Sequence, residues 1–128
     1  MHSGLTISQA DPRPMYLQIK EQIRHRIAVG DWKSGQEVPS IRALAIDLRV
    51  SVITIKRAYA ELESEGVIVT HHGKGSFVAA GDGLSLHLQQ QELDDHLVAA
   101  ARLAKLLGLD QQALADRLRK AERKAEKK

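Results

Sequence analysis

Pro12 and Pro14 precede a stretch in which Tyr16, Ile19, Ile23 and Ile27 recur at steps of three, four and four, the spacing of one apolar helix face. Gly30 stops that helix, and a polar connection containing Trp32 and Gly35 runs from Asp31 to Pro39. Ser40 stands as an N-cap before Ile41, Leu44, Ala45 and Leu48, a core-facing stripe. After a break at Arg49-Val50, Ser51 caps a further run through Glu65, with Ile55, Ala58, Tyr59 and Leu62 as its buried face and Gly66 as its end. The period then changes. Val67-Ile68-Val69-Thr70 and Ser76-Phe77-Val78 have strand character, and His71-His72-Gly73-Lys74-Gly75 between them carries the glycines of a tight connection. Past Gly81-Asp82-Gly83, Leu93, Leu97, Ala100, Ala104 and Leu107 form a narrow heptad-like seam closed by Gly108. Asp110 caps a last helix, with Leu109 and Leu114 as a staple and Leu114, Leu118, Ala121 and Ala125 as its stripe. The segment from Glu122 to Lys128 is almost all charge and is expected to fray into solvent.

Two short helices joined by a few residues and followed by a hairpin predict a mainly α fold with a small β-hairpin, a winged helix-turn-helix. The glycines at 81 and 83 divide it: residues 1–80 form that domain, and residues 81–128 form a short helical tail. Composition narrows the classes. A chain of 128 residues, 43% apolar and 27% charged, suits one small domain with a helical appendage. The absence of cysteine excludes disulfide scaffolds, thiolate metal sites and cysteine nucleophiles. Four aromatics are too few for a platform that stacks single-stranded bases. Met1-His2-Ser3-Gly4 does not open a secretory signal, and no apolar run approaches the roughly eighteen residues of a membrane span, so a soluble cytoplasmic protein is expected. His71 and His72 diverge in an extended segment, and His96 beside Asp94 and Asp95 lacks a helical ligand pair; these read as surface histidines, with no metal site. No phosphate loop, nucleophile elbow or paired-acid setting is present, so neither an enzyme nor a cofactor is expected.

The helix-turn-helix carries the sharpest chemistry. The first turn of its second helix enters the major groove in this motif, which places Ser51, Val52, Ile53 and Thr54 at base edges and Lys56 and Arg57 one turn on. Ser51 and Thr54 suit phosphate or base, Val52 or Ile53 a thymine methyl group, and Arg42 a phosphate or guanine. Net charge is only +3, a weak case for DNA taken alone. Residues 40–60, however, hold Arg42, Arg49, Lys56 and Arg57 against Asp47 alone, while Glu61, Glu63 and Glu65 follow with no base among residues 61–66. The helix macrodipole prefers the reverse order, so this one serves presentation of cations to phosphate rather than helix stability. Lys74 and the backbone N–H groups of the hairpin tip suit a phosphate or a minor groove. The other class open to the pattern is a helical protein-interaction module whose basic helix is incidental.

The runs Gln36-Glu37-Val38-Pro39-Ser40-Ile41-Arg42-Ala43-Leu44-Ala45, Val50-Ser51, Ala58-Tyr59-Ala60-Glu61-Leu62-Glu63-Ser64-Glu65-Gly66-Val67-Ile68 and Gly73-Lys74-Gly75-Ser76-Phe77-Val78 resemble the N-terminal domain of GntR-type bacterial transcription regulators. The resemblance spans about residues 12–79, and the short two-helix tail looks like the YtrA-type subgroup, in which the tail serves dimerisation. It implies DNA contacts at Arg42, Ser51, Val52, Ile53, Thr54, Lys56, His72, Gly73 and Lys74. It also implies a homodimer on a double-stranded, pseudo-palindromic operator, usually repressing its own operon, often one for a transporter. Two positions depart from the family pattern. Val52 stands where members often carry arginine, and Arg49 stands where many have glycine; a positive φ at Arg49 would cost on the order of 1 kcal/mol, offset by a phosphate contact. Leu93, Leu97, Ala100, Ala104, Leu107, Leu114 and Leu118 are the expected dimerisation residues. No residue pattern names an effector ligand, and a tail this short leaves little room for a conventional pocket.

Overall fold

The computed structural model describes residues 3–81 and 83–127. Met1 and His2 of the opening segment, Asp82 of the expected boundary and Lys128 of the charged end lie outside the described residues. Along the chain follow α1 (Met15–Ala28), α2 (Ile41–Leu48), α3 (Val52–Ser64), β1 (Ile68–His71), β2 (Gly75–Val78), α4 (Leu84–Leu106) and α5 (Gln111–Glu126). They form two compact units, Met1–Gln90 and Gln91–Lys128.

In the first unit α1 and α2 both pack on α3, and the fully buried side chains Ile19, Ile23, Leu44, Ile55, Leu62, Ile68 and Val78 come from all three helices and both strands. Local chemistry sets the ends of these elements. Ser40 Oγ accepts the Ala43 N–H at 3.1 Å and Ser51 Oγ accepts the Thr54 N–H at 3.1 Å, each satisfying a donor the first helical turn leaves free. β1 and β2 pair antiparallel in the register Ile68↔Val78, Val69↔Phe77, Thr70↔Ser76, His71↔Gly75. The connection after α1 does more than link. Glu37 bridges Phe77, and the Val38 N–H donates to the Ser76 carbonyl while the Val78 N–H donates to that of Gln36, covering the open edge of β2.

Other features lie outside the apolar pattern. Residues 3–8 pack on the helices: Leu5 is buried, and the side-chain amides of Gln18 and Gln22 each pair two ways with the backbones of Ser8 and Thr6. At the other end of the unit, Ser85 Oγ and Gln89 Nε2 both donate to the Ala28 carbonyl, and Leu88 is buried. The opening turns of α4 thereby cap the last turn of α1.

Lys20 stands next to the buried Ile19 on α1. Its side chain is 6% exposed, and its ammonium donates to Glu61 Oε1 at 2.8 Å and Glu65 Oε2 at 2.6 Å. Burial pushes the Lys20 pKa down, but the two carboxylates outweigh it and the net shift is upward. Glu61 is held below its ordinary value, chiefly by the hydrogen bond from Lys20 and also by that from Arg57.

In the second unit, Gly108 at φ 72° ends α4 with the Leu109 N–H on the Ala104 carbonyl. Asp110 Oδ1 accepts the Ala113 N–H at 2.8 Å and starts α5. α5 is helical through Glu126, past Glu122, the expected start of fraying in the charged end. Its Ala, Glu, Lys and Arg are strong helix formers, and Arg123 and Lys124 in the last turn complement the macrodipole. The expectation of fraying took charge as solvation and left intrinsic propensity out.

Two stability measurements follow from this framework. Lys20→Met should destabilise the fold at pH 7 by about 1–3 kcal/mol, less than for a fully buried pair because the glutamates are partly solvated. The lowered Glu61 pKa makes its contribution present above about pH 4.3 and lost as pH falls through the depressed value. The raised Lys20 pKa makes its contribution present below about pH 10.4 and lost as pH rises through the raised value. The gap between wild type and Lys20→Met in denaturant titrations should therefore narrow from pH 7 to pH 3; an equal gap at both would place the effect in packing of the lysine stem. Arg49 closes α2 in the left-handed region at φ 56° and ψ 45°. Arg49→Gly should raise stability by about 1 kcal/mol in the same titrations, and a fall in stability would show that the arginine is held there by contacts worth more than its strain.

Candidate nucleic-acid interface

The turn between α2 and α3 and the tip of the β1–β2 hairpin gather most of the residues expected at DNA. The placement of α2 against α3 depends on Tyr59, whose buried hydroxyl donates to the Pro39 carbonyl at 2.7 Å just before the Ser40 cap. Burial raises the Tyr59 pKa far above that of a free phenol, so the hydroxyl keeps its proton and stays a donor. On the other side of the turn, Ser51, Val52 and Ile53 are exposed and Thr54 is half-buried. The Ser51 and Thr54 hydroxyls lie 2.9 Å apart and bond each other in addition to the cap. Both hydroxyls named for DNA contact thus also fix the start of α3.

The cations of the first unit divide into two sets. Arg13, Lys20, Arg24, Arg26 and Arg57 each hold a carboxylate: Asp11 and Glu21, Glu61 and Glu65, Glu65, Asp31, and Glu61 respectively. Arg42, Arg49, Lys56 and Lys74 make no side-chain hydrogen bond or ion pair among the described residues, and neither does Lys33 in the connection. Four of these five lie on the helix-turn-helix and the hairpin tip. Arg57, grouped with Lys56 by sequence, behaves differently. Its guanidinium carbon lies 3.8 Å from the centre of the Tyr16 ring, Nη2 donates to the Tyr16 hydroxyl at 3.0 Å, and Nε donates to Glu61 at 3.3 Å. The residue still has substantial exposure but is tied toward α1.

Acids near the expected DNA face are likewise engaged. Asp47 Oδ2 accepts from the Ser3 N–H and from Ser3 Oγ, at 3.1 and 2.6 Å. Glu63 accepts from Thr70 Oγ1 at 3.0 Å, and Thr70 also bonds Ser76 across the hairpin, which links the hairpin to α3. The tip itself is His72-Gly73-Lys74, closed by the Lys74 N–H on the His71 carbonyl at 2.9 Å, with Gly73 at φ 77°. Gly75 is constrained twice: φ is 123°, and a Cβ there would come within 2.9 Å of Glu37 Oε2. His72, Gly73 and Lys74 are all exposed. His71 instead pairs with Gly75 across the strands, and its ring centre lies 5.4 Å from that of Phe77.

Of the expected dimerisation residues, Leu93, Leu97, Leu107 and Leu118 are exposed in the single chain, Ala100 and Leu114 are partly covered, and Ala104 is buried. Val98, Leu103 and Leu106 are exposed as well, and the sequence stripe did not include them. Among the described residues no helix is long and apolar enough to cross a membrane, and no group of three or more His, Asp or Glu is placed to hold a metal ion.

Residues 15–78 match the model of the family described as "Bacterial regulatory proteins, gntR family". The chain is 32% identical over 102 residues to the uncharacterized HTH-type transcriptional regulator YhcF of Bacillus subtilis, covering 80% of this chain and 84% of that one. It is 39% identical over 74 residues to the HTH-type transcriptional repressor YtrA of the same organism, covering 56% and 57%. Against the histidine utilization repressor of Pseudomonas aeruginosa, 36% identity extends over 88 residues, 69% of this chain but only 35% of that longer protein. A GntR family transcriptional regulator from Listeria monocytogenes superposes with a TM-score of 0.77 at 29% identity, over 86% of this chain and 96% of that one. The DNA-binding domain of AraR, solved with operator ORX1, superposes with a TM-score of 0.55 at 32% identity, over 62% and 99%. The chain, a winged helix-turn-helix followed by two helices, belongs to the gntR family of bacterial regulatory proteins.

Proposed function

We propose that this regulator binds a pseudo-palindromic operator in double-stranded DNA as a homodimer in the cytoplasm and represses transcription there, its own operon being the first target to examine. The reading is carried by one observation: Arg42, Arg49, Lys56 and Lys74 lie on the helix-turn-helix and hairpin with no side-chain partner among the described residues, while the cations of α1, and Arg57 of α3, hold carboxylates. In this mode α3 enters the major groove by its Ser51-Val52-Ile53-Thr54 turn, and Lys56 and Arg49 meet phosphates. Arg42 reaches a phosphate or guanine from the first turn of α2. Arg57 exchanges its contacts with Tyr16 and Glu61 for a phosphate of the DNA backbone. The His72-Gly73-Lys74 tip lies on the minor groove.

Residues 1–80 carry the DNA contacts in this proposal and residues 81–128 hold the partner copy. Leu93, Leu97, Ala100, Leu107, Leu114 and Leu118 contribute to that interface, whereas Ala104, also expected there, is already buried within the chain. The solvent-facing leucines support it, since an exposed stripe of this kind gains stability only when another surface covers it. Two domains then read half-sites about one helical turn, roughly 34–36 Å, apart.

Two measurements test the reading. Affinity for the DNA upstream of the chain's own gene should fall steeply with salt. Lys56→Ala and Lys74→Ala should each flatten the log–log slope by about 0.9 for every phosphate the lysine neutralises, close to two units for a dimer. Binding that is absent or insensitive to salt would favour a protein-interaction module instead. Sedimentation across a dilution series should show a dimer that Leu97→Asp converts to monomer, while the monomer's own stability changes by no more than about 0.5 kcal/mol because the site is exposed. A wild-type monomer at every concentration would overturn the dimer.

A further inference from the structure

We propose that the first turn of α3 reads the C5-methyl groups of pyrimidines in the major groove, so that the bases facing Val52 and Ile53 are thymines. The inference rests on the DNA-binding reading above and adds to it the chemistry of the bases recognised. Ile53 is 79% exposed and Val52 46% exposed, at the two positions directly after the Ser51 cap. Neither is explained by folding. Ile53 buries little area and Val52 only about half of its own, and in a helix both are poorer choices than alanine.

The polar groups of the same turn are partly committed. Ser51 Oγ accepts the Thr54 N–H and bonds the Thr54 hydroxyl, so the pair keeps one hydroxyl hydrogen and two acceptor lone pairs, enough for single hydrogen bonds but not for a bidentate pair with a base edge. The turn therefore holds no guanidinium to bridge guanine O6 and N7, and no side-chain amide to bridge adenine N6 and N7. What it offers a base pair is hydrocarbon. In the major groove the C5-methyl of thymine is the one apolar group that unmodified bases present. The same hydrocarbon acts against the other bases, because covering guanine O6 or cytosine N4 with a methyl group strips water from it and returns no hydrogen bond. Thymine is thus favoured by contact and its competitors are penalised by desolvation. Cytosine methylated at C5 carries the same group, and the test below separates the two sources.

The probe is a duplex enriched from a random double-stranded library by the full-length protein. Each thymine in it is replaced singly by uracil, which keeps O4 and the pairing edge and removes only the methyl. At one or two positions in each half-site, uracil should weaken binding about fourfold, the equivalent of about 0.8 kcal/mol for one buried methyl at 1.4 kcal/mol per tenfold. At those positions Ile53→Ala or Val52→Ala should bind the thymine and uracil duplexes within about 1.5-fold of each other. The steepness of the salt dependence should be retained, since the lysines and arginines remain. Replacing the same T·A pair by a 5-methylcytosine·G pair should retain more affinity than replacing it by a C·G pair. Both variants sit at exposed positions and gain helix propensity, so unchanged thermal unfolding is the check that they are folded. If uracil is tolerated at every position, or weakens wild type and both variants equally, methyl readout is wrong while DNA binding stands. If no sequence is enriched and no salt-dependent complex forms, the DNA-binding reading itself fails.

Discussion

The Lys20 ammonium, almost wholly buried between α1 and α3, sits between two carboxylates, Glu61 and Glu65, one turn apart at the end of α3. Those glutamates are poorly placed for α3 taken alone. Like charges at i and i+4 repel, and acids near a helix C-terminus oppose its macrodipole by about 0.3–1 kcal/mol each. Lys20, with Arg24 on Glu65 and Arg57 on Glu61, turns both penalties into an anchor between helices. The consequence is mechanical. α3 is gripped through Ile55, Ala58, Tyr59, Leu62 and the C-terminal carboxylates, and its exposed N-terminal turn is left with no structural duty beyond its own cap.

The same division runs through the first unit. Asp47, the single acid among residues 40–60, accepts from the Ser3 N–H and Ser3 Oγ, which fixes its carboxylate against the opening segment. Arg26 is held by Asp31 and the Gly4 carbonyl, away from the helix-turn-helix. Most of the positive charge left to solvent therefore lies on the helix-turn-helix and hairpin, with Lys33 in the connection the exception and Arg57 on α3 consumed by Tyr16 and Glu61. The net charge of +3 conceals this because it counts a cation in an ion pair and its acid as cancelling, and counts the unpartnered ones no differently.

Much of the fold was legible because its determinants are local. Ser40, Ser51 and Asp110 cap the helices the sequence assigned to them, and the buried face of α3 is the predicted one, since cap and period are both encoded within a single turn or two. The misses are long-range or are polar residues among apolar ones. Lys20 falls between Ile19 and Ile23 in the α1 stripe, and a reading that admits only hydrocarbon to a core face passes over it. A signal existed: two glutamates at i and i+4 near the end of α3 call for a cation from a neighbouring helix. Nothing local, by contrast, announces that Gln18 and Gln22 clamp residues 6 and 8, or that Glu37 reaches Phe77. At the candidate interface the sequence marked the helix-turn-helix and the hairpin tip but could not separate Lys56 from Arg57. That distinction depends on Tyr16, forty-one residues away from Arg57.

Three departures from what would stabilise an isolated fold meet at the junction of α2 and α3. A non-glycine residue, Arg49, occupies the left-handed region; β-branched hydrocarbon at Val52 and Ile53 faces solvent; and the charge order along α3 runs against its dipole. Each alone is ordinary in a protein of this size. Together, between Arg49 and the end of α3, they mark a surface shaped by something other than folding, since most local choices elsewhere in the unit agree with the fold. A strained arginine supplies charge where glycine would supply none, exposed isoleucine supplies a surface that water does not favour, and the displaced acids leave the cations uncompensated. A polyanion with methyl groups in its groove satisfies all three at once, and a protein surface covering the same turn would account for the hydrocarbon but would leave the free cations unexplained.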